Sequence, residues 1–257
     1  MIPRLAAMIL MMTAFAGVAR GQGPEVARMA YAVYAAGLNI LTIDATAEIG
    51  PRGYRIDLSY RTTGMLGTFF PSTIESFAEG GWAAAGPAPA RFTTSGTARG
   101  KVRRSVIEFV AGQPVVRTLE PLLEEDREPV APEWQRDAID TLSAMAFLLR
   151  QVAQAGTCDG KARLFDGRRV MEVASRTAGR DVLRPDFRSS FAGPALRCDF
   201  TGRQLSGFMR DLDAEERARE HPSRVWMPPA AGRLALPVRI EFEARFFGKA
   251  TAYATVP

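Results

Sequence analysis

Few residues in this chain are equipped for chemistry: it holds two cysteines and one histidine among 257 residues. A thiol nucleophile needs a partner base, and His221, the sole imidazole, stands among charges in "EREHPSRVW" as a surface loop residue would. Zinc would need further ligands, and neither cysteine belongs to a C-x-x-C pair. Nucleophile-elbow, metalloprotease, phosphate-loop and dinucleotide motifs are absent as well. Asp211, Asp213 and Glu215 alternate as calcium ligands could, without the glycine or final glutamate of an EF-hand loop. Two carboxylates suffice for glycoside hydrolysis, but Asp44, Asp57, Glu75 and Glu108 alternate with apolar residues and should point outward from strands. The residues therefore predict a protein that is not an enzyme, with no cofactor and no metal.

What the cysteines do depends on the compartment. The chain opens "MIPRLAAMILMMTAFAGVARGQG": an early arginine, an uncharged apolar run from Leu5 to Val18, then small residues. This is the pattern of a secretory signal peptide over residues 1–21, with cleavage after Gly21 and with Ala19 and Ala16 as competing sites. The other reading is an anchor helix that is kept. The apolar run ends without a cysteine for lipid attachment, and no later segment approaches the roughly 20 apolar residues of a membrane crossing. In an oxidising space Cys158 and Cys198 are expected to pair; free thiols or catalysis would suit the cytosol. Closing a loop of about 40 residues would contribute on the order of 4 kcal/mol.

Export also changes the charge. Loss of residues 1–21 removes Arg4 and Arg20 and lowers the net charge from +5 to +3. Acids are interspersed along the rest, so no basic stripe points to nucleic acid. The tightest cluster, Arg99, Lys101, Arg103 and Arg104, reads as a solvated strand face, or else as an anionic-lipid or phosphate patch.

The elements that position these residues are mostly strands. "YAVYAAGLNILTIDATAEIG" puts Tyr31, Val33, Leu41, Ile43, Ala45 and Ala47 on one face, with an irregularity at Gly37. "YRIDLSYRTTG" alternates likewise through Tyr54, Ile56, Leu58 and Tyr60, so the two stretches read as a hairpin. Short strands follow to residue 116 and again from Ala162, ending with Val238, Ile240, Phe242, Ala244 and Phe246 opposed to Arg239, Glu241, Glu243 and Arg245 and a turn at Gly248-Lys249. "RDLDAEERAREHPSRVWMPP" reads as a surface loop or short exposed helix. One long helix is predicted over about 138–155, with Asp140 or Asp137 as N-cap and Gly156 as its end. It is apolar all round from Ala144 to Leu149, so it should pack into the concavity of the sheet. The expected fold is mainly β: a strongly curved antiparallel sheet or partly closed barrel, one exported domain over residues 22–257.

"TTGMLGTFFPS" is the unusual loop. Met65, Leu66, Phe69 and Phe70 either fold onto the core or form a lip at an apolar cavity. With Leu142, Met145 and Leu149 of the helix they are the candidate ligand-binding residues, for a lipid or the acyl part of an envelope ligand. The alternative is an envelope scaffold that docks a protein through its outer surface, by way of the Arg99–Arg104 face or the 211–224 segment.

"YAVYAAGLNILTIDA", "YRIDLSYRTTGMLGTFFPSTIESFAEGGW", "DTLSAMAFLL", "TCDGKARLFDGRRVMEV" and "PVRIEFEARF" together resemble the uncharacterised bacterial envelope family known as domain of unknown function 3108, over most of residues 29–256. The resemblance implies a periplasmic protein with a curved antiparallel sheet. A looser analogy is to lipoprotein-carrier folds, in which an open barrel wraps a helix and shelters acyl chains. It brings no catalytic residues with it.

Overall fold

The computed structural model describes residues 23–122, 127–229, 232–244 and 248–255. The leader expected over residues 1–21, and Arg245 and Phe246 of the last hairpin, lie outside them. Among the described residues there are thirteen strands and four helices. The first half comprises β1 (Glu25–Ala35), β2 (Leu38–Ile49), β3 (Gly53–Thr62), α1 (Gly64–Phe69), β4 (Ser72–Ala83), β5 (Gly86–Ala98), β6 (Lys101–Val110) and β7 (Gln113–Glu120). After the four-residue α2 (Pro132–Gln135) come α3 (Thr141–Ala155), β8 (Gly160–Phe165), β9 (Val170–Leu183), β10 (Gly193–Ser206), α4 (Ala214–Ala218), β11 (Glu220–Met227), β12 (Arg239–Ala244) and β13 (Gly248–Thr255).

All the strands join one antiparallel sheet in the order β7-β6-β5-β4-β3-β2-β1-β13-β12-β11-β10-β9-β8. Two meanders thus meet where the last strand returns to the first, with Tyr31 opposite Ala254 and Ala35 opposite Ala250. Gly37 proves to be more than an irregularity: Ala36 and Gly37 both take left-handed backbone and turn the chain between β1 and β2, so the opening stretch is itself a hairpin. The segment after residue 210, expected as a surface loop or short exposed helix, does carry the short helix α4, with no buried residue, but then continues as β11, which pairs with β10 and β12; His221 lies exposed on that strand and not in a loop.

The sheet curves into a nearly closed barrel whose two outer strands do not pair with each other. The free edge of β8 is covered by the chain just before α3: Ile139 N–H donates to Arg163 O at 2.9 Å and Phe165 N–H to Ile139 O at 2.8 Å. An uncovered edge would be open to pairing with another chain. The β8–β9 turn crosses to the other end of the sheet, where Ser105 of β6 donates to Asp166 O and Arg168 reaches Pro121 O, just past β7, at 2.8 Å.

The long helix forms where expected. Asp140 accepts from Ser143 N–H at its N-cap, and Gly156 closes its end in left-handed conformation. It packs on β2–β5 and β8 and buries Leu142, Ser143, Ala146, Leu149 and Val152. No residue from Leu142 to Ala153 is exposed, in keeping with an apolar circumference. No helix among the described residues is long and apolar enough to cross a membrane.

Cys158 and Cys198 form a disulfide, fixing the segment after α3 to the middle of β10. Thr177 on β9 holds the same segment: its hydroxyl accepts from Cys158 N–H at 3.0 Å and donates to Asp159 at 2.7 Å. The bonds from Thr177 to Asp159 keep that carboxyl below the usual carboxylate range.

Candidate functional site

Residues opposed in an antiparallel ladder share a face of the sheet. Across β2–β6 one such row is Ala47, Ile56, Ala78, Phe92 and Ile107, all buried. Two residues along, the same face carries Leu58, Ser76, Thr94 and Ser105. The next row is Tyr60, Ile74, Gly96 and Arg103. The face therefore passes from wholly apolar to mixed over a few residues. Helix α3 belongs to the apolar end, where the buried Tyr54 hydroxyl donates to Ser143 at 2.7 Å.

The mixed rows line part of an open cavity of about 450 Å³, within the range of small-molecule sites, about 300–1,000 Å³. Tyr60, Ile74, Phe92 and Thr94 form its floor. Five arginines, Arg103, Arg104, Arg127, Arg168 and Arg169, stand around it with only Glu120 and Asp166 as acids. Burial pushes the Tyr60 phenol up, and the Arg103 charge opposes that shift. Ser76 and Thr94 satisfy each other at 3.1 Å, so this row holds polar groups without leaving them unpaired.

The "FDGRR" segment builds the seam beside the cavity. The Asp166 carboxylate accepts from the N–H groups of Arg168 and Arg169 at 2.9 and 3.0 Å, a local turn that aspartate favours. Gly167 has φ +91°, and a Cβ there would lie 3.3 Å from Leu119 of β7 and Ser105 of β6. Gly207, with φ +74°, passes so close to Arg168 O that a side chain would collide with it. A motif rich in charges thus serves first to bring the two ends of the sheet together.

Helix α1 lies at the same end as the cavity, since it joins β3 to β4 two residues beyond Tyr60 and Ile74. It buries none of its residues: Met65 is 68% exposed, Phe69 70% and the following Phe70 52%, while Leu66 packs partly against the core. The loop expected at this place is a short helix, fixed to the neighbouring turn by a 2.7 Å bond from Thr63 to Asn39.

The sequence-predicted ligand residues are thereby separated into two groups. Leu142 and Leu149 are buried in the core and Met145 is partly buried. From Tyr54, bonded to α3, to Thr62, beside α1, is eight residues of strand, or about 26 Å. The residues α3 contributes line neither this cavity nor a second of about 430 Å³ over β9–β13. The second is walled by Arg176, Arg224, Lys249, Asp199, Glu241 and Glu243, with cations and anions balanced and an Arg176–Asp199 ion pair at 2.6 Å. Among the described residues no group of His, Cys, Asp or Glu is placed to hold a metal.

Arg103 was expected on a solvated face with its neighbours; it faces the cavity because it shares parity with Ser105 and the fully buried Ile107. That parity is readable in "VRRSVI", and an arginine two residues from an inward serine is the signal that could have located the cavity.

The profile of the family described as a protein of unknown function, DUF3108, matches residues 28–255. The chain belongs to this family. The match runs from within β1 to the end of β13, so nearly all of both meanders and the seam turn of this DUF3108 protein lie within it. No curated protein matches the chain. A solved structure similar in fold is a β-barrel-like protein of domain of unknown function DUF1849 from Brucella abortus, with 12% identity, a TM-score of 0.50 and coverage of 91% of this chain and 96% of that one. A candidate lipoprotein from Parabacteroides distasonis is more distant, with 9% identity, a TM-score of 0.33 and coverage of 91% and 94%.

Proposed function

We propose that this is a non-catalytic protein of the periplasm that shelters the acyl chain of a lipid or acylated envelope ligand inside its curved sheet. In this reading α3 occupies one end of the inner face and the ligand the other. Tyr60, Ile74 and Phe92 supply an apolar floor, and Met65, Leu66, Phe69 and Phe70 form the mouth. The observation that carries the reading is the exposed apolar helix at the open end of a cavity on the same face as the core. Monomeric proteins seldom leave large apolar side chains clustered in water without a use for them. The disulfide supports an oxidising location, since such bonds persist outside the reducing cytosol.

Titration with the fluorescent fatty acid cis-parinaric acid tests this. Saturable binding is expected, and Thr94→Trp, which fills the cavity, should weaken it by at least about tenfold while the circular dichroism stays that of the wild type. Equal affinity in the two proteins would place the acyl chain elsewhere and overturn the reading.

A further inference from the structure

We infer that the end of the barrel carrying α1 is a docking surface for an anionic lipid bilayer. The inference goes beyond the cavity reading, shares with it the side chains of α1 at the mouth, and adds to them the exposed side chains of the two neighbouring turns.

Three segments build this side of the rim. The β1–β2 turn abuts α1 through Asn39 and Thr63. The β5–β6 turn abuts it through Arg99, whose N–H donates to Pro71 O at 3.1 Å and whose guanidinium lies 5.9 Å from the Phe70 ring. Leu38 (54% exposed) and Val102 (60%) thereby extend the apolar surface of Met65, Phe69 and Phe70. The three segments themselves carry charge of one sign, although Glu120 of β7 stands opposite Arg104. Residues 35–43, 60–74 and 96–104 contain Arg61, Arg99, Lys101, Arg103 and Arg104 and no acid, although acids are interspersed through most of the chain.

Exposed apolar side chains ringed by cations fit the boundary of a bilayer with anionic lipid. The apolar groups enter the headgroup layer, and each nearby lysine or arginine gains about 1 kcal/mol from the surface potential. Docked in this way, the cavity mouth would face the membrane, the source of acyl chains. The first described residues lie at the opposite end of the sheet, where Glu25 pairs with Ile49 beside Gly50.

The test is flotation of the chain from Gly23 onward, which holds every described strand, with vesicles of phosphatidylglycerol and phosphatidylcholine in equal parts or of phosphatidylcholine alone. Binding to the mixed vesicles should exceed binding to phosphatidylcholine. Phe69→Ser with Phe70→Ser should abolish it, and Arg99→Gln with Lys101→Gln should lower affinity for the mixed vesicles roughly tenfold, with little effect on phosphatidylcholine. Phe187→Ser, at an exposed apolar residue outside the rim, should change nothing. Both rim pairs are exposed, and a native circular dichroism spectrum with no free thiol would certify their folding. Equal binding to both vesicles, no binding, or loss only in the Phe187 variant would overturn the proposal. Thr94→Trp should keep vesicle binding while losing the fatty acid, so failure of the cavity reading and failure of this one can be told apart.

Discussion

Asp140 performs two tasks with one buried carboxylate. One oxygen caps α3 by accepting from Ser143 N–H at 2.8 Å; the other accepts from the Ser143 hydroxyl, which in turn receives the Tyr54 phenol from β3. Burial pushes the carboxyl above the usual range, opposed by those bonds. Asp140→Ala should cost about 3 kcal/mol in urea denaturation, from the lost cap and the orphaned Ser143 hydroxyl. Asp140→Asn keeps an acceptor at the cap and should stay within about 1 kcal/mol. A carboxyl with a raised folded-state pKa favours the folded protein below its unfolded value, about 3.9, and that advantage is lost as pH rises toward the folded value. The stability of the wild type relative to Asp140→Asn should therefore decline as pH rises above about 4; a difference that grew with pH would contradict the assignment. At Gly207 the left-handed backbone and the nearness of Arg168 O leave no room for a side chain, so Gly207→Ala should lower the melting temperature and loosen the seam. The sequence offered Asp140 and Asp137 alike as the cap before an apolar run, and the structure assigns Asp140, whereas Gly207 is special only because a distant turn passes it.

At the level of elements, what was legible followed from local rules. Alternation located the strands, and the cap and the closing glycine bounded α3 to within a few residues of the expected range. Two elements were hidden for physical reasons. β11 begins with exposed Glu220, His221 and Pro222, two polar side chains and a proline without an N–H, and shows apolar character only at Val225 to Met227, so its first half reads as a loop. β1 and β2 carry uninterrupted inward residues on either side of a tight turn, so one hairpin resembles one long strand. The disulfide joins the segment between α3 and β8 to β10, and its pairing followed from compartment rather than geometry. Replacing both cysteines by serine frees a loop spanning 40 positions and should cost about 4 kcal/mol in the chain-entropy account. Chemical denaturation measures it; a loss under about 1 kcal/mol would mean that β9 and β10 already confine the segment.

For the molecule as a whole, the sheet order and its near closure were beyond local pattern. Nothing in single strands says that β13 returns to β1, or that the Asp166–Arg169 turn reaches β6 and β7. The site was legible only in halves: α1 and α3 were both singled out, but their placement at opposite ends, and the arginine-walled cavity between the sheet ends, depend on register across five strands. That arrangement gives the barrel a polarity, a packed end held by α3 and an open end rimmed by apolar and basic residues. The central claim is that the open end holds an acyl chain. Native mass spectrometry of the protein released gently from its own cells addresses it most directly. The account predicts a bound species carrying an acyl chain on the wild type and its loss from Thr94→Trp; bare protein in both cases, or the same species retained by both, would contradict it.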